Sequence, residues 1–213
     1  MTDRRPRTTN LDRYGHAALP WSRVVEALSV PPTEELTFFV GSVRPDGRPH
    51  AAGVGALYHD GDLWFTSSPA ARKARNIAKD PRVTISVRLK GIDVVFEGAT
   101  DRVRDRPTLE RIAARFREGG WPVQVDGDAF TAPYSAPSAG PPPWQLYRFT
   151  IDTAFGVAGV EPHGATRWRF SPAKSASRSV ASRKPASRSV STKPGNRKIA
   201  SRKPTKRKAA SRR

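Results

Sequence analysis

Two adjacent cations, Arg72 and Lys73, stand where a phosphate-binding helix would begin. Ser68-Pro69 is typical of a helix start, because serine is a good N-cap and proline is tolerated in the first turn. Asp80-Pro81 indicates the end of that helix, since the residue before a proline disfavours helical conformation. The sequence therefore predicts a helix over residues 69–79 with both cations in its first turn.

A bound anion would resolve the unfavourable position of these cations. The first turn of a helix is the positive end of its dipole, which disfavours Arg72 and Lys73. A phosphate would pair with both of them and with free backbone N–H groups, and the hydroxyls of Thr66, Ser67 and Ser68 precede the same turn. A solvated helix surface explains the spacing equally well, so both interpretations stay open on this evidence.

The segment resembles the cofactor-phosphate region of the pyridoxamine 5′-phosphate oxidase-like flavin-binding split barrels. In that family an aromatic-threonine pair ends a strand and a basic pair opens the next helix. Here those pairs are Phe65-Thr66 and Arg72-Lys73, followed by Asn76, by Asp80-Pro81-Arg82-Val83 and by an alternating strand. The resemblance extends from about residue 35 to residue 170, and the ending Ala-Thr-Arg-Trp-Arg-Phe resembles an actinobacterial subgroup.

The resemblance implies a mainly β fold, the FMN-binding split β-barrel of the Greek-key type, assembled as a homodimer with cofactor sites at the interface. It implies F420 or FMN as the cofactor, with the phosphate on the basic pair and the flat ring along the preceding strands. The cofactor-binding residues that it implies are His50, Ala51, Ala52, Gly53, Val54, Gly55, Phe65, Thr66, Ser67, Arg72, Lys73, Asn76 and Asp93. For Asn76, a surface polar residue is an equally good interpretation.

The elements around this segment read as short strands joined by tight turns. Period-two patterns predict strands, and Pro45-Asp-Gly47 predicts a hairpin turn between the first two of them. Many short strands with few helices favour a closed or partly open barrel. The predicted strands cover residues 36–43, 48–58, 63–66, 83–89, 92–103, 145–151 and 165–170, and the predicted helices cover residues 21–28, 69–79 and a segment opened by Asp105-Arg-Pro107.

The predicted strand from His50 to Leu57 has small side chains and two glycines. This composition permits close approach of a flat ring or of a second backbone, whereas a bulge in an edge strand is the alternative. Residues 119–143 follow without clear periodicity and are rich in proline. A segment of this length without regular structure is usually functional or disordered, so we expect a lid or substrate-pocket wall, or else an uninvolved insertion.

Charge divides the chain at residue 171. The stretch 171–213 contains 15 of the 38 lysines and arginines and none of the 19 acidic residues. The whole chain has a net charge of +19, so residues 1–170 carry only +4. It has no aromatic residue and few large aliphatics, which predicts a disordered tail. We therefore expect a polar extension over residues 1–19, a cofactor-binding barrel over 20–170 and a basic tail that binds nucleic acid phosphates without sequence preference, or that is merely solvated.

Several classes of protein are excluded or disfavoured. The absence of cysteine excludes disulfides, iron–sulfur clusters and thiolate zinc sites. The first thirteen residues lack the apolar core of a secretory signal, and no apolar run is long enough to span a membrane. A cytoplasmic location is the default expectation, with association to the nucleoid as an alternative. The four histidines are scattered and form no metal-ligand cluster, which predicts no metal site.

Three functions remain open. The first is an oxidoreductase that uses F420 or FMN to transfer hydride to a small organic substrate, with a slight preference for the deazaflavin. The second is a non-catalytic flavin- or haem-binding module, and the third is a nucleoid-associated protein whose barrel only dimerises its tails. The last predicted strand reads Arg167-Trp168-Arg169, without the histidine of the family's Arg-x-His-x-Arg segment, which argues against pyridoxamine phosphate as the substrate.

Overall fold

The computed structural model of the protein describes residues 5–29, 36–135 and 140–171. These residues form eleven strands and three helices. Apart from Ser171, the predicted basic tail lies outside the described residues. The elements are β1 (Arg7–Asn10), α1 (Trp21–Ser29), β2 (Phe38–Val43), β3 (Pro49–Val54), β4 (Ala56–His59), β5 (Asp62–Ser67), α2 (Arg72–Ile77), β6 (Arg82–Leu89), β7 (Ile92–Val103), α3 (Arg106–Glu118), β8 (Gln124–Asp126), β9 (Ala129–Thr131), β10 (Gln145–Ala158) and β11 (Gly164–Arg169).

The main sheet is antiparallel and curves back on itself. Its strands lie in the order β1-β11-β10-β7-β6-β2-β3, and β4 pairs with β5, which returns to β10. The sequence predicted one strand over residues 48–58, but the chain divides at Gly55 into β3 and β4, which pair with different partners. A glycine at such a corner is common because it tolerates a sharp change of strand direction. The expected mainly β, split-barrel fold is confirmed.

The barrel interior is filled by alternate side chains of its strands. On β6 and β7 the buried residues alternate with exposed ones, which is the period-two pattern of a sheet with one face in a core. Phe65 of β5 stacks on Tyr147 of β10 at a centroid distance of 5.3 Å inside this core. The fully buried residues of this interior include Val40, Leu63, Phe65, Ile85, Phe96, Phe149, Ile151 and Ala154.

A second apolar cluster covers the outer face of β5. Helix α3 begins after Asp105, where the sequence predicted a helix start. The Asp105 carboxylate accepts a hydrogen bond from the Thr108 backbone N–H at 3.0 Å and so caps the helix. Its apolar face packs over Trp64, and β5 is therefore buried on both sides. The buried members of this cluster are Trp64, Val103, Leu109, Ile112, Ala113, Val123, Phe130 and Leu146.

Part of residues 119–143 is more regular than the sequence indicated. Strands β8 and β9 form a hairpin, and Phe130 continues it through a bridge to Trp144. Phe130 packs in the second cluster beneath α3. The hairpin strands have three residues each, which is too short for a period-two pattern to stand out in the sequence.

The N-terminal boundary of the barrel also differs from the prediction. Residues 1–19 were expected to form a polar extension outside the domain, yet β1 pairs with β11 in four successive positions. The residues Arg7–Asn10 are polar and show no alternation of apolar side chains, so no strand was predicted there. An edge strand whose two faces are largely exposed does not need such alternation. Within the described residues, no helix is long and apolar enough to cross a membrane.

Candidate functional site

Strand β3 presents two different faces. His50 lies opposite Ser42, and Ala52 lies opposite Val40, a fully buried residue of the barrel interior. Paired residues of neighbouring strands project to the same face, so His50, Ala52 and Val54 face inward. Ala51 and Gly53 project to the outer face, where Ala51 lies opposite Gly41. The strand residues predicted to line the cofactor are therefore divided between the two sides of the sheet.

Helix α2 begins later than the sequence predicted. Its first residue is Arg72, its N-cap is Ala71, and no side chain caps it. Ser68 instead organises the preceding turn, in which its carbonyl accepts a hydrogen bond from the Ala71 N–H at 3.0 Å. The signal at Ser68-Pro69 thus marks a turn in front of the helix. Arg72 and Lys73 nevertheless occupy the first helical turn, as expected.

Lys73 is a buried cation without a partner in the described part of the chain. Only 6% of its surface is exposed, and no hydrogen bond or ion pair within that part satisfies its ammonium group. Burial lowers the pKa of Lys73, because removal from water disfavours the charged form. Its neighbour Arg72 is exposed. A buried lysine ordinarily has a counter-charge, and the described residues do not supply one for Lys73.

Three further cationic or basic groups surround this position. The pKa of His50 is lowered, first by burial and then by the positive charges of Arg44, Arg72 and Lys73. No acidic residue is among the groups that shift it. His50 Nδ1 and Arg44 Nε are both buried without a hydrogen-bond partner among the described residues. Positive potential and unsatisfied ring and guanidinium nitrogens therefore occur together between β3 and α2.

Asn76 is a buried residue that connects helix α2 to strand β2. It is buried, and its side-chain nitrogen donates to Ser42 Oγ at 3.0 Å, which links α2 to β2. The Ser42 hydroxyl in turn lies 3.5 Å from the carbonyl oxygen of His50. The burial of Asn76 excludes the alternative of a surface polar residue, and its contact with a phosphate stays a prediction. Its contribution is to set the distance between Lys73 and β3.

The remaining predicted residues lie in different surroundings. The Phe65 side chain is in the barrel core, so only its backbone could reach a ligand. Ser67 is also buried and donates to the Ser68 carbonyl at 3.3 Å. Asp93 is exposed and forms an ion pair with Arg88 at 2.9 Å, and this ion pair lowers the pKa of Asp93. Asp93 lines a depression separate from His50, so within one chain it does not join the cationic cluster.

Two cavities border the predicted residues. A cleft of about 730 Å³ is bordered by Ala51, which projects to the outer face of the sheet, and by its chain neighbour His50. A smaller cavity of about 320 Å³ lies beneath α3, and its wall includes Gly55 and Thr66. The chain bends at Gly55, so the start of β3 borders the larger cleft, whereas Gly55 and the following strand β4 border the smaller cavity.

Two residues of the cluster were missed by the sequence analysis. Arg44 precedes the turn of the β2–β3 hairpin, and Ser42 stands opposite His50. The sequence could have shown that Ser42 faces the barrel interior, because the alternation of β2 puts Ser42 on the same face as Val40. No pattern in the sequence distinguished Arg44 from the other arginines of the chain.

A family model, described as pyridoxamine 5′-phosphate oxidase, matches residues 25–158, which is more than half of the chain. This protein belongs to the pyridoxamine 5′-phosphate oxidase family. The match includes the basic pair, the strands β3 to β5 and helix α3. It ends at Ala158, before strand β11 and the basic tail.

Curated members of the pyridoxamine 5′-phosphate oxidase family cover part of the chain. A pyridoxine/pyridoxamine 5′-phosphate oxidase of Bacteroides thetaiotaomicron is 30% identical over 110 residues, which are 46% of this chain and 52% of that protein. The corresponding Bacteroides fragilis protein is 29% identical over 111 residues, 46% of this chain and 47% of that protein. The chain thus spans about half the length of the curated relatives it matches.

Solved structures show the same fold at low identity. A Clostridium acetobutylicum protein related to general stress protein 26, described as of the pyridoxinephosphate oxidase family, has a TM-score of 0.50 and 15% identity. The match covers 71% of this chain and 96% of that one. An F420 reductase is similar at a TM-score of 0.42 and 21% identity, over 61% of this chain and 93% of that one.

Proposed function

We propose that this protein is an oxidoreductase that holds the phosphate of FMN or F420 between helix α2 and strand β3. The observation that carries the proposal is the cluster of Arg44, His50, Arg72 and Lys73, in which burial and the three cations lower the pKa of His50 and no acidic side chain of the described residues raises it. Membership of the family supports a flavin-type ligand for this cluster. A phosphate is a suitable occupant because it accepts several charge-assisted hydrogen bonds at once.

The chain's own residues fit the two parts of such a cofactor. Lys73 and Arg72 would bind the phosphate, while His50 Nδ1 and Arg44 Nε supply two buried nitrogens that have no other partner among the described residues. Strand β3 pairs with β2 alone among the described strands, so its second edge has free backbone groups for the polar edge of a ring. At Gly55 an added Cβ would meet no atom within 4 Å, which leaves room for a flat ring.

When bound, the cofactor supplies the hydride chemistry, as is general for flavins and deazaflavins. The protein's part is to grip the phosphate, to orient the ring along β3 and β4 and to exclude water. Asn76 and Ser42 maintain the separation of α2 and β3 through their 3.0 Å hydrogen bond. No protein group has to act as an acid or base in this scheme, which agrees with the absence of a recognisable nucleophile motif.

The test of the proposal is to identify the ligand and then titrate it. An absorption spectrum of the purified protein, with mass spectrometry of the released ligand, should reveal FMN or the deazaflavin. Titration of the apoprotein with FMN and with F420 decides between them, and oxidation of the reduced cofactor by added acceptors separates an enzyme from a non-catalytic binding module. If neither cofactor binds, this proposed function is wrong.

The outer face of the sheet supports a homodimer. Phe39 and Val157 are about half exposed, at 49% and 57%, and Val95 and Phe155 form a cross-strand pair between them. Contiguous exposed apolar residues mark interaction surfaces. We therefore infer that two copies pack through this face, beside the cleft at His50 and Ala51. Phe39→Glu should convert a dimer to a monomer in light scattering, whereas Tyr14→Glu, at an exposed aromatic residue outside this face, should not.

The charge of residues 171–213 supports a second, separate activity. Fifteen basic residues without an acidic one would bind duplex DNA through its phosphates, without sequence preference and with steep salt dependence. Gel shifts at about 50 and 200 mM salt should show strong loss of affinity for the full chain. The same chain ended at Phe170 should bind far more weakly and keep its cofactor affinity. Unchanged DNA binding after truncation would exclude a role for the tail.

A further inference from the structure

The edge strand β1 and its surroundings carry arginines without an acidic partner. Among the described strands β1 pairs with β11 alone. Arg5, Arg7 and Arg13 lie in or beside β1, and Arg169 of β11 lies opposite Arg7. All four side chains are exposed, and within the described part of the chain none of them forms an ion pair. By contrast, nine arginines elsewhere in the barrel pair with an aspartate or a glutamate.

Arg7 and Arg169 repel each other in the free protein. They lie directly opposite on neighbouring antiparallel strands, so their side chains project from the same face, and like charges in this arrangement are destabilising. Thr153 of β10 and Glu97 of β7 continue the same row. The carboxylate of that row is therefore two strands away from Arg169, a separation of about 10 Å. A bound anion would relieve the repulsion.

A turn held by hydrogen bonds presents an aromatic ring beside these arginines. The Asp12 carboxylate accepts the backbone N–H groups of Tyr14 and His16 at 2.8 and 2.9 Å. The Asn10 side chain closes the turn by donating to the His16 carbonyl at 2.9 Å. The turn is thus fixed, yet 90% of Tyr14 is exposed. The one carboxylate near the ring is already bound to backbone N–H groups.

Cations and an exposed ring together fit a single strand of nucleic acid. Proteins bind single strands through basic side chains that follow the phosphates and through aromatic side chains on which bases stack. The bases of a duplex are stacked on one another, so only a single strand can place a base on Tyr14. An anionic membrane would also attract arginines, but binding at its surface requires an apolar face, and Arg7–Asn10 is polar throughout.

We propose that β1 and the turn after it bind single-stranded nucleic acid without strict sequence preference. The phosphates lie on Arg7 and Arg169 at one end and on Arg13 at the other, and one base stacks on Tyr14. Residues 171–213 contain no aromatic side chain, so they cannot supply this stacking. The proposal rests neither on the cofactor site nor on DNA binding by the tail.

The test measures binding to the full-length protein by fluorescence anisotropy. The probes are a labelled oligothymidylate of about 16 nucleotides and a duplex of the same length. The variants are Tyr14→Leu, and Arg7→Gln combined with Arg169→Gln. Arg75→Gln combined with Lys79→Gln is the matched control, because it removes the same charge from two exposed residues in and after α2. Circular dichroism and thermal unfolding establish that the variants fold.

We expect Tyr14→Leu to bind oligothymidylate about tenfold more weakly and the duplex as tightly as the wild type. The arginine variant should lower the slope of the logarithm of the binding constant against that of the salt concentration by about 1.4, because each phosphate contact on a single strand contributes about 0.7. The control should change this slope by less than half as much.

Phenylglyoxal modification with peptide mass spectrometry gives a readout on the wild type itself. Bound oligothymidylate should protect Arg7 and Arg169 but not Arg75. Equal oligothymidylate affinity of Tyr14→Leu and the wild type, equal slopes in the arginine variant and its control, or no protection of Arg7 and Arg169 would overturn the proposal. An arginine variant that loses binding to anionic phospholipid vesicles but keeps its oligothymidylate affinity would assign the edge to a membrane and also overturn it.

Discussion

A buried charged side chain lies near each end of strand β5, and within the described residues only one of the two has a partner of opposite charge. At its start, Asp62 is buried, and Arg148 donates to its carboxylate from Nε at 2.6 Å. Arg148 and Arg111 also lie over the Trp64 ring, at 5.7 and 5.8 Å from its centroid. Beyond its end, the Lys73 side chain is also largely buried, but no carboxylate of the described residues forms an ion pair with it.

From this difference we expect a structural role for the paired charge and a ligand-binding role for the unpaired one. A buried ion pair completed within the chain contributes to the fold, and loss of one partner leaves the other uncompensated. A buried cation without a partner disfavours the free protein and is satisfied only when a ligand supplies the missing charge. The contrast therefore predicts that substitutions at the two ends will have effects of different kinds.

The largest effect is expected at the unpaired end. Arg72→Ala combined with Lys73→Ala removes two charge-assisted phosphate contacts, which should weaken cofactor binding by about 3–6 kcal/mol. The matched control is Arg75→Ala with Lys79→Ala, two exposed cations of the same helix region. Titration of FMN and F420 by fluorescence measures both variants. Equal affinities in the double variant and the control would remove this cluster from the cofactor site.

The next effect is expected at the paired end. Asp62→Asn keeps the size of the side chain but removes the charge that Arg148 contacts, so the free energy of unfolding should fall by about 1–3 kcal/mol. Arg148 is partly exposed, which keeps the loss below that of a fully buried pair. Urea unfolding measures the change, and cofactor affinity should stay the same. A variant as stable as the wild type would mean that this ion pair is not structural.

A smaller effect of opposite sign is expected from Lys73→Met. Methionine fills the same space without a buried ammonium group, so the apoprotein should become more stable by about 1 kcal/mol or remain unchanged. The stabilisation that added cofactor gives to the wild type should be much reduced in this variant. Thermal unfolding with and without cofactor measures both quantities. Marked destabilisation of the apoprotein would show that Lys73 has a structural role instead.

The smallest effect concerns pH. The pKa of His50 is lowered from 6.5 by burial and by neighbouring cations, so the free protein keeps this ring neutral at pH 7. A bound phosphate raises that pKa, and binding therefore takes up a proton and strengthens as the pH falls from 8 towards 6. We expect a few-fold gain in cofactor affinity in the wild type and a smaller gain in His50→Gln.

The His50→Gln variant is also the control for the cofactor itself. The phosphate group titrates near pH 6, and this acts equally on the wild type and the variant. In the free protein the lowered pKa of His50 has the opposite consequence, since stability falls as the pH drops below 6.5, where the unfolded chain takes up the proton. Identical pH dependence of cofactor binding in both proteins would exclude His50 from the phosphate site.

Local patterns predicted most elements of the barrel correctly. The strand over residues 92–103 matches β7, and α3 begins where the segment Asp105-Arg-Pro107 predicted a helix start. The predictions missed β1, β8 and β9, whose segments are short or polar. They also joined β3 and β4 into one strand, although the two strands on either side of Gly55 pair with different neighbours. Short or polar strands and a strand divided at a glycine leave no periodic pattern of apolar residues in the sequence. Whether such segments form strands depends on the strands that they pair with.

The order of residues alone shows that a basic pair follows an aromatic-threonine pair and that basic charge is concentrated after residue 171. The folded chain is needed to see that Lys73 is buried, that Asn76 donates a hydrogen bond to Ser42, and that Arg44 and His50 lie in one positive region with the basic pair. These facts depend on packing between α2 and the β2–β3 hairpin. Local sequence patterns carry no information on such contacts, because the residues involved are far apart along the chain.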